Sequence, residues 1–350
     1  MSSLLASAVR SGAFQYAQAT VKQHVRAWLN GEGMRHERVL AAFDSSLVER
    51  RSSVVPIEEV FRARSFGASN DLYIRHAVDL ATEVAEEALK TAGIAPRDVD
   101  YFVSSSCTGF MIPSLDAHVA ERLGMKPTLR RLPITEHGCA GGAVALAHAH
   151  DHLLAHQDHV ALVVSVELPS LTFQASDRAP GNVVSSALFG DGAAAVVMTA
   201  PPVTSRPRIL RSGSRRFEKS LDWMGFHLRD SGLHVLLSPE IPRQVRAAAK
   251  ELVEGFLDQS NLTLADVQHF LFHPGGRKIL EAFEQTLALP EAALAASRRV
   301  LRDHGNLSSA IVLFIVNDYL TRSIGRSGDK GLLLAFGPGF GAEFLLLEWS

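Results

Sequence analysis

Leu132-Pro133-Ile134-Thr135-Glu136-His137-Gly138-Cys139-Ala140-Gly141-Gly142-Ala143-Val144-Ala145-Leu146-Ala147 is the stretch of sequence that decides the fold. An apolar segment, a glycine-bounded turn and a second apolar segment follow one another, which predicts a strand, a sharp turn and a helix. The thiol of Cys139 would then lie at the helix N-terminus, where unpaired backbone N–H groups and the helix dipole favour a thiolate. Gly141 and Gly142 would leave room beside the sulfur for an acyl group and for close approach of the backbone. The alternative is that a lone cysteine is a small buried apolar residue.

The second half of the chain repeats this stretch with a different polar residue at its centre. His137-Gly138-Cys139-Ala140-Gly141-Gly142-Ala143-Val144-Ala145-Leu146 is echoed by His304-Gly305-Asn306-Leu307-Ser308-Ser309-Ala310-Ile311-Val312-Leu313. Residues 98–102 are echoed by residues 266–270, and Phe189-Gly190-Asp191-Gly192 by Phe336-Gly337-Pro338-Gly339. Three echoes in the same order predict two halves of similar fold, with one site where Cys139 and Asn306 meet.

Composition indicates a globular protein with a sizeable core. The chain has 350 residues, of which 47% are hydrophobic and 21% charged, enough for two domains or one duplicated domain. Lys and Arg number 35 against 37 Asp and Glu, so bulk charge gives no support to nucleic-acid or membrane-surface binding. The two cysteines do not make a disulfide framework, and no leader pattern precedes them, so we expect reduced thiols in the cytoplasm. No apolar run approaches the length of a membrane span, and the histidines show no metal-binding spacing.

The order of elements predicts an α/β fold. A helical stripe over 74–92 ends at Gly93, and two further helices are expected over 242–257 and 306–320, the last one amphipathic. Strands are predicted over 4–9, 98–106, 160–166, 193–197, 270–272, 332–336 and 343–349. A proline-rich stretch over 201–207 marks the seam between an N-terminal half, 1–202, and a C-terminal half, 203–350.

Two further residues are candidates for chemistry together with Cys139. His273 ends an apolar strand before a Pro-Gly-Gly turn, where open α/β sheets place their ligand sites, and imidazole changes protonation near neutral pH. Asn306 heads a helix, where asparagine is also an ordinary N-cap, but its amide can donate to a carbonyl oxygen that becomes an enolate. A thiol, an imidazole and an amide together suit chemistry on thioesters.

These residues together resemble the type III polyketide synthases, the chalcone and stilbene synthase family of the thiolase-like superfamily. The resemblance covers nearly the whole chain. The motifs that carry it are Ser106-Cys107-Thr108-Gly109-Phe110-Met111-Ile112-Pro113-Ser114, Gly138-Cys139, Ala187-Leu188-Phe189-Gly190-Asp191-Gly192-Ala193, His273-Pro274-Gly275-Gly276, Gly305-Asn306 and Phe336-Gly337-Pro338-Gly339-Phe340. The family's fold is a duplicated αβαβα layered arrangement with the active site at the junction of the halves.

The resemblance implies a role for each matching residue. Cys139 would be the nucleophile that holds the starter and the growing chain, and His273 and Asn306 would bind the malonyl thioester and promote its decarboxylation. His273 would also hold Cys139 as a thiolate. The remaining assignments are Phe189 and Phe226 as gatekeepers, Thr172 and Cys107 as cavity-lining residues, Ile112 as the residue that reaches the partner's cavity, Arg50, Arg51 and Ser308 as CoA-binding residues, and Gly337, Pro338 and Gly339 as the loop of the cyclisation pocket.

The reaction implied by the resemblance is iterative decarboxylative Claisen condensation of malonyl-CoA onto an acyl-CoA starter, followed by cyclisation to a pyrone, resorcinol or phloroglucinol-type product. CoA thioesters are substrates, so no cofactor, metal or carrier protein is expected, and the family forms homodimers. We favour a long-chain fatty acyl starter, with a malonyl-primed small aromatic product as the alternative. The rival functions are a single-condensation enzyme of the β-ketoacyl synthase III type and a catalytically silent thiolase-like scaffold subunit.

Overall fold

The computed structural model describes residues 1–29 and 34–350 of the chain. The strands are β1 (Ser2–Ser11), β2 (Phe14–Ala17), β3 (Arg50–Ser53), β4 (Tyr101–Ser105), β5 (Arg130–Ile134), β6 (Val160–Glu167), β7 (Gly192–Thr199), β8 (Pro207–Arg216), β9 (Met224–Arg229), β10 (Gly232–Leu237), β11 (His269–Phe272), β12 (Lys330–Gly337) and β13 (Gly341–Trp349). The helices are α1 (Gln18–Leu29), α2 (Met34–Ser45), α3 (Ile57–Val60), α4 (Phe66–Ala92), α5 (Leu115–Arg122), α6 (Gly141–Ala155), α7 (Pro180–Leu188), α8 (Ile241–Asp258), α9 (Arg277–Thr286), α10 (Ala295–His304) and α11 (Ile311–Arg322).

The main sheet contains the same strand pattern twice. Its order is β11-β12-β13-β8-β1-β7-β6-β4-β5. In one half β7 lies antiparallel between β1 and β6, and β4 continues parallel to β6. In the other half β13 lies antiparallel between β8 and β12, and β11 continues parallel to β12. Among the described strands of the main sheet, the two halves pair with each other only through two residue pairs between β1 and β8. The duplication inferred from the sequence is therefore present in the topology.

The helices complete the αβαβα layers of a thiolase-like fold. Buried residues of α6 and α11 form one core with strands of both halves, including Val103 and Val163 of the first half and Leu333 of the second. Because consecutive side chains of a strand point to opposite faces of the sheet, the residues next to these in sequence pack on the outer faces. Phe102 packs with α4, and Leu332 packs with α8 and α9. The central layer is therefore the pair α6 and α11, which both half-sheets cover.

Most predicted elements are confirmed, and one helix was predicted wrongly. The helix over 74–92 is the C-terminal part of α4, which ends at Gly93 in the left-handed conformation. The amphipathic helix predicted from Asn306 instead begins at Ile311, after a single 3-10 turn over Ser308–Ala310. It is buried around most of its circumference, because it lies in the central layer. The antiparallel hairpin of β9 and β10 was not predicted.

A membrane-spanning segment is not found among the described helices. None of those within 1–29 and 34–350 combines the length and the apolarity that crossing a bilayer requires.

Asp191 ties together the segments that lead into β7. The carboxylate is fully buried and accepts hydrogen bonds from the Val54 N–H at 2.8 Å, the Ser170 N–H at 2.9 Å and the Ser170 hydroxyl. Burial raises the pKa of Asp191 to about 6, although these hydrogen bonds act in the opposite direction.

We expect Asp191→Asn to lower the free energy of unfolding by about 1–3 kcal/mol, because an amide offers one acceptor oxygen where three donors converge. The pKa of the folded state lies above the usual 3.8, so the stability from the protonated form is lost as pH rises through about 6. The difference in unfolding free energy between wild type and Asp191→Asn, measured by thermal unfolding, should therefore become smaller between about pH 4 and pH 7. A difference that stays constant or widens would contradict this assignment. Asp44→Asn, at an exposed pair with Lys22, is the control and should change stability by less than about 0.5 kcal/mol.

Candidate active site

Cys139 and Asn306 lie at equivalent points of the two halves. Cys139 is in a 3-10 turn, Gly138–Ala140, that connects β5 to the start of α6. Asn306 comes two residues before the 3-10 turn Ser308–Ala310, which leads into α11. Both residues are buried, and the two helices that follow them form the central layer. The prediction that the duplication brings the thiol and the amide to one place is confirmed.

The turn that carries Cys139 packs against the loop between β12 and β13. Gly138 has a φ of +48°, and a Cβ there would lie 2.5 Å from Cδ of Pro338. A Cβ on Gly337 would lie 2.4 Å from the His137 carbonyl oxygen. Both glycines therefore permit a contact that no other residue allows. This contact brings Pro338 to the wall of the cavity, next to the left-handed Gly339.

Gly141 and Gly142 serve helix packing. A Cβ on Gly141 would lie 2.2 Å from Oγ of Ser105, and one on Gly142 would lie 2.2 Å from the Ser309 carbonyl oxygen. The space that these glycines leave is therefore filled by β4 and by the turn before α11. The close approach of backbone expected at these glycines is therefore confirmed at Gly142, but neither glycine lines the cavity, so the expected room for an acyl group is not found there.

The thiol of Cys139 is held in its neutral form by burial. The side chain is 8% exposed, and desolvation raises its pKa to about 12, with the charge of Glu167 acting in the same direction. The thiol donates to Oγ of Ser308 at 3.5 Å, which acts in the opposite direction. The sequence predicted a thiolate; in the structure the cost of burying a charge outweighs the helix N-terminus.

His273 lines the same cavity and has one ring nitrogen without a hydrogen-bond partner among the described residues. It follows β11, and its backbone N–H donates to the Leu334 carbonyl at 2.7 Å, which extends the pairing with β12. Nε2 is buried and has no hydrogen-bond partner within 1–29 and 34–350. Burial lowers the pKa of His273 to about 4, so the imidazole is neutral at physiological pH.

Asn306 is oriented by bonds on both sides of its amide. Its Oδ1 accepts from the Ser308 N–H at 2.9 Å, and its Nδ2 approaches the Gly275 carbonyl at 3.4 Å. Its backbone N–H donates to the Leu188 carbonyl at 2.7 Å, and its carbonyl accepts from the Gly190 N–H at 3.1 Å. The amide nitrogen is thereby turned toward the loop that follows His273.

One cavity of about 130 Å³ joins these residues. Cys139, His273 and Asn306 line it together. The other predicted residues in its wall are Phe189, Phe226, Thr172, Cys107, Ser308, Arg51 and Pro338. Within the described ranges no group of three or more His, Cys, Asp or Glu side chains is arranged to hold a metal ion.

Ser308 and Glu167 form a polar cluster beside the thiols. Ser308 has a φ of +48°, which is uncommon for a residue with a side chain, and its hydroxyl lies 3.5 Å from Sγ of both Cys107 and Cys139. Glu167 is fully buried and accepts from the Cys107 N–H at 3.2 Å and the Thr108 hydroxyl at 2.9 Å. Burial raises the pKa of the Glu167 carboxyl.

Sequence reasoning missed Glu167 and assigned Ser308 to CoA binding. Glu167 is the last residue of the buried strand β6, so the argument used for His273, a polar residue at the end of an apolar strand, could have found it. Ser308 is 4% exposed and its hydroxyl contacts both sulfur atoms, which places it in the cavity wall beside Cys139.

The hairpin of β9 and β10 forms one wall of the cavity. Phe226 of β9 is paired directly with Val235 of β10, and both line the cavity. Directly opposed residues of an antiparallel pair share a face, so this wall is built by the two side chains together. Val235 carries no signal in the sequence beyond its position in an apolar run.

Three further predicted residues, Arg50, Arg51 and Ile112, differ from one another in their exposure and in their contacts. Arg50 is exposed and pairs with Asp303 at 2.9 Å. Arg51 is buried and directs its donors to backbone carbonyls. Ile112 is fully exposed on a surface loop, and the cavity wall of its own chain does not include it.

Comparisons with known proteins agree over most of the chain. The family models for the N-terminal and C-terminal domains of chalcone and stilbene synthases match residues 55–202 and 215–349. A 1,3,6,8-tetrahydroxynaphthalene synthase of Streptomyces peucetius is 38% identical over 339 residues, which cover 96% of this chain and 90% of the relative. A phloroglucinol synthase of Pseudomonas fluorescens is 33% identical over 304 residues, which cover 87% of this chain and 86% of the relative.

The fold agrees equally well with solved structures. The crystal structure of 1,3,6,8-tetrahydroxynaphthalene synthase from Streptomyces coelicolor, a bacterial type III polyketide synthase, superposes with a TM-score of 0.95 at 30% identity and covers 99% of both chains. Together with the family models, this shows that the chain belongs to the chalcone and stilbene synthase family, the acyl-transferring condensing enzymes known as type III polyketide synthases.

Proposed function

We propose that the protein condenses malonyl-CoA iteratively onto an acyl group held on Cys139, by decarboxylative Claisen chemistry. The observation that carries this proposal is the convergence of a thiol, an unpartnered imidazole nitrogen and an oriented amide on one buried cavity. The thiol can accept an acyl group. The imidazole and the amide can donate hydrogen bonds to an oxygen that becomes negative.

Loading begins with a proton transfer, because the buried thiol is neutral. Cys139 gives its proton to Nε2 of His273, and the thiolate attacks the carbonyl carbon of the acyl-CoA. The carbon–sulfur bond to CoA breaks, and the CoA thiolate leaves with a proton. The product of this step is a thioester on Sγ of Cys139.

Extension uses the same groups on a second thioester. The bond between the carboxylate and the methylene carbon of malonyl-CoA breaks, CO₂ leaves, and its electron pair forms an enolate. The enolate oxygen accepts hydrogen bonds from His273 and from Nδ2 of Asn306. The enolate carbon attacks the acyl carbon, and Sγ of Cys139 leaves, so that the lengthened chain is a thioester of CoA. For the next round Sγ of Cys139 attacks this thioester, its carbon–sulfur bond to CoA breaks, and CoA leaves with a proton.

The size of the cavity supports a small starter. A volume of about 130 Å³ is well below the roughly 300–1,000 Å³ of pockets that hold drug-sized ligands. The relatives described above are named for small polyhydroxylated aromatic products. We therefore replace the long-chain fatty acyl starter favoured by the sequence with the alternative, a malonyl-primed small aromatic product.

The surroundings of the site suggest the remaining partners. Exposed Arg50 is available to the phosphates of CoA, although Asp303 competes for it. Exposed Ile112, beside the partly exposed Phe110, offers an apolar surface to a second copy, consistent with a homodimer in the cytoplasm. No cofactor enters the reaction, since the CoA thioesters are substrates and loss of CO₂ drives each condensation.

The proposal is tested by mass spectrometry of products from the purified protein. Malonyl-CoA alone should give an aromatic product, and a long-chain acyl-CoA added in equal amount should not be incorporated. Alkylpyrone or alkylresorcinol masses would overturn the choice of starter. Products of a single condensation, or none from any starter, would overturn iterative synthesis.

We expect Cys139→Ala to reduce polyketide formation by at least about a thousandfold, because no other group holds the acyl chain. Release of CO₂ from malonyl-CoA should continue, since His273 and Asn306 are intact. Product formation is measured by chromatography and CO₂ release with labelled malonyl-CoA. Normal product formation by this variant would refute the role of Cys139.

Asn306→Ala should lower the rate of malonyl-CoA decarboxylation by about 10²–10³-fold, the usual effect of removing one donor to an oxyanion. Asn306→Asp, which keeps the shape but removes the N–H donors, should behave similarly. An unchanged rate of CO₂ release in either variant would exclude the amide from enolate stabilisation.

A further inference from the structure

Arg51 is a buried cation whose hydrogen-bond partners are all uncharged. The residue is 6% exposed, and no carboxylate lies within 4 Å of its guanidinium in the described part of the chain. Nη1 donates to the carbonyls of Ser186 and Phe189, the latter at 3.2 Å. Nη2 donates to the Ala187 carbonyl at 3.0 Å and to Oε1 of Gln18. Burial without a counter-charge lowers the pKa of Arg51 to about 9.

The carbonyls that Arg51 binds belong to the C-terminal end of α7. The last carbonyls of a helix have no partner within the helix and carry its partial negative charge. The planar fork of an arginine can satisfy several of them at fixed angles, which a lysine cannot do. The interaction therefore fixes the position of the segment 186–189, which ends in the cavity residue Phe189.

The same segment is bound on its other side by Asn306. The Leu188 carbonyl accepts from the Asn306 N–H at 2.7 Å, and the Gly190 N–H donates to the Asn306 carbonyl at 3.1 Å. Phe189 and Asn306 thus form a short parallel β-bridge. A displacement of 186–190 would carry the backbone of Asn306 with it, and with it the amide that faces the reacting oxygen.

Burying a guanidinium without a carboxylate costs free energy. A buried Arg51 therefore calls for an interaction that offsets this cost. Binding of CoA phosphates does not account for this cost, because four of the five N–H groups of Arg51 donate inside the protein and the fifth, on Nε, is buried without a partner among the described residues. The role of Arg51 in fixing the position of segment 186–189 does account for it.

We propose that Arg51 is a positioning residue for the decarboxylation step: its fork holds 186–189 so that the bridge to Asn306 aims the amide at the enolate oxygen. The inference rests on the function proposed above and assigns Arg51 to catalysis through Asn306, in place of the CoA contact expected from the sequence.

The test compares the steady-state kinetics of malonyl-CoA decarboxylation by Arg51→Met, Arg51→Lys and wild type. Arg51→Met should lower kcat at least about tenfold, as small displacements of catalytic groups do, while KM changes less than about threefold. Arg51→Lys keeps the charge without the fork and should fall between wild type and Arg51→Met. Arg208→Lys is the matched control at a half-buried sheet pair with Glu348 outside the cavity wall, and its kcat should stay within about twofold of wild type.

The competing outcomes are distinct. A KM raised about tenfold with kcat unchanged would show that Arg51 binds CoA, and unchanged kcat and KM would show a role in stability alone; either result overturns the proposal. If Arg51→Met does not fold, as judged by circular dichroism, the kcat of Arg51→Lys decides in the same way. Wild type and Asn306→Ala are measured in parallel. If wild type releases no CO₂, or Asn306→Ala releases it normally, the proposed function fails independently of Arg51.

Discussion

The close contact between the beginnings of α6 and α11 is the constraint on which the site depends. The Ser309 carbonyl packs directly against Gly142, and a Cβ at Gly142 would lie only 2.2 Å from its oxygen. Because each helix is preceded by its own polar residue, this contact brings Cys139 and Asn306 to one place although they are far apart in the sequence. The two half-sheets cover the helix pair from either side, and His273 reaches the site from the end of β11. Duplication therefore supplies the geometry, and divergence at one position of each half supplies the chemistry.

Burial sets the electrostatics of this site. Desolvation raises the pKa of Cys139 to about 12 and lowers that of His273 to about 4, so both groups are neutral at physiological pH. In the loading step proposed above, a thiolate and an imidazolium would therefore be formed together, by transfer of one proton within the cavity, when a thioester is present to accept the nucleophile. A neutral resting site also limits side reactions of the thiol. The charge of the buried Glu167 carboxylate also raises the pKa of Cys139. The neutral thiol is therefore the more favourable state of Cys139 between turnovers.

Much of this arrangement could be predicted from sequence, for identifiable reasons. The echoes around Cys139 and Asn306 predicted the duplication, and apolar runs ending in polar residues predicted the strands and His273. The start of α11 was misjudged, because no proline or glycine separates Asn306 from Ile311 in the sequence, whereas the 3-10 turn over Ser308–Ala310 is held by hydrogen bonds from Ser309 to the distant Glu167. The protonation state of Cys139 was also misjudged, because a helix N-terminus is visible in the sequence whereas the degree of burial is not.

The wall residues were the least predictable part of the site. Val235 lines the cavity because it is paired with Phe226 in a hairpin that was not predicted from the sequence. Arg50 and Arg51 are adjacent in sequence, yet Arg51 is buried against helix carbonyls and Arg50 is exposed, since consecutive residues of a strand face opposite sides.

The central claim is that one thiol, Cys139, carries the acyl chain. It is tested most directly by brief incubation of the protein with malonyl-CoA, acid quench, proteolysis and peptide mass spectrometry of the thioester adducts. The account predicts acyl groups on the peptide that contains Cys139 and none on the peptide that contains Cys107. Adducts on Cys107, or product formation without any adduct on Cys139, would contradict it.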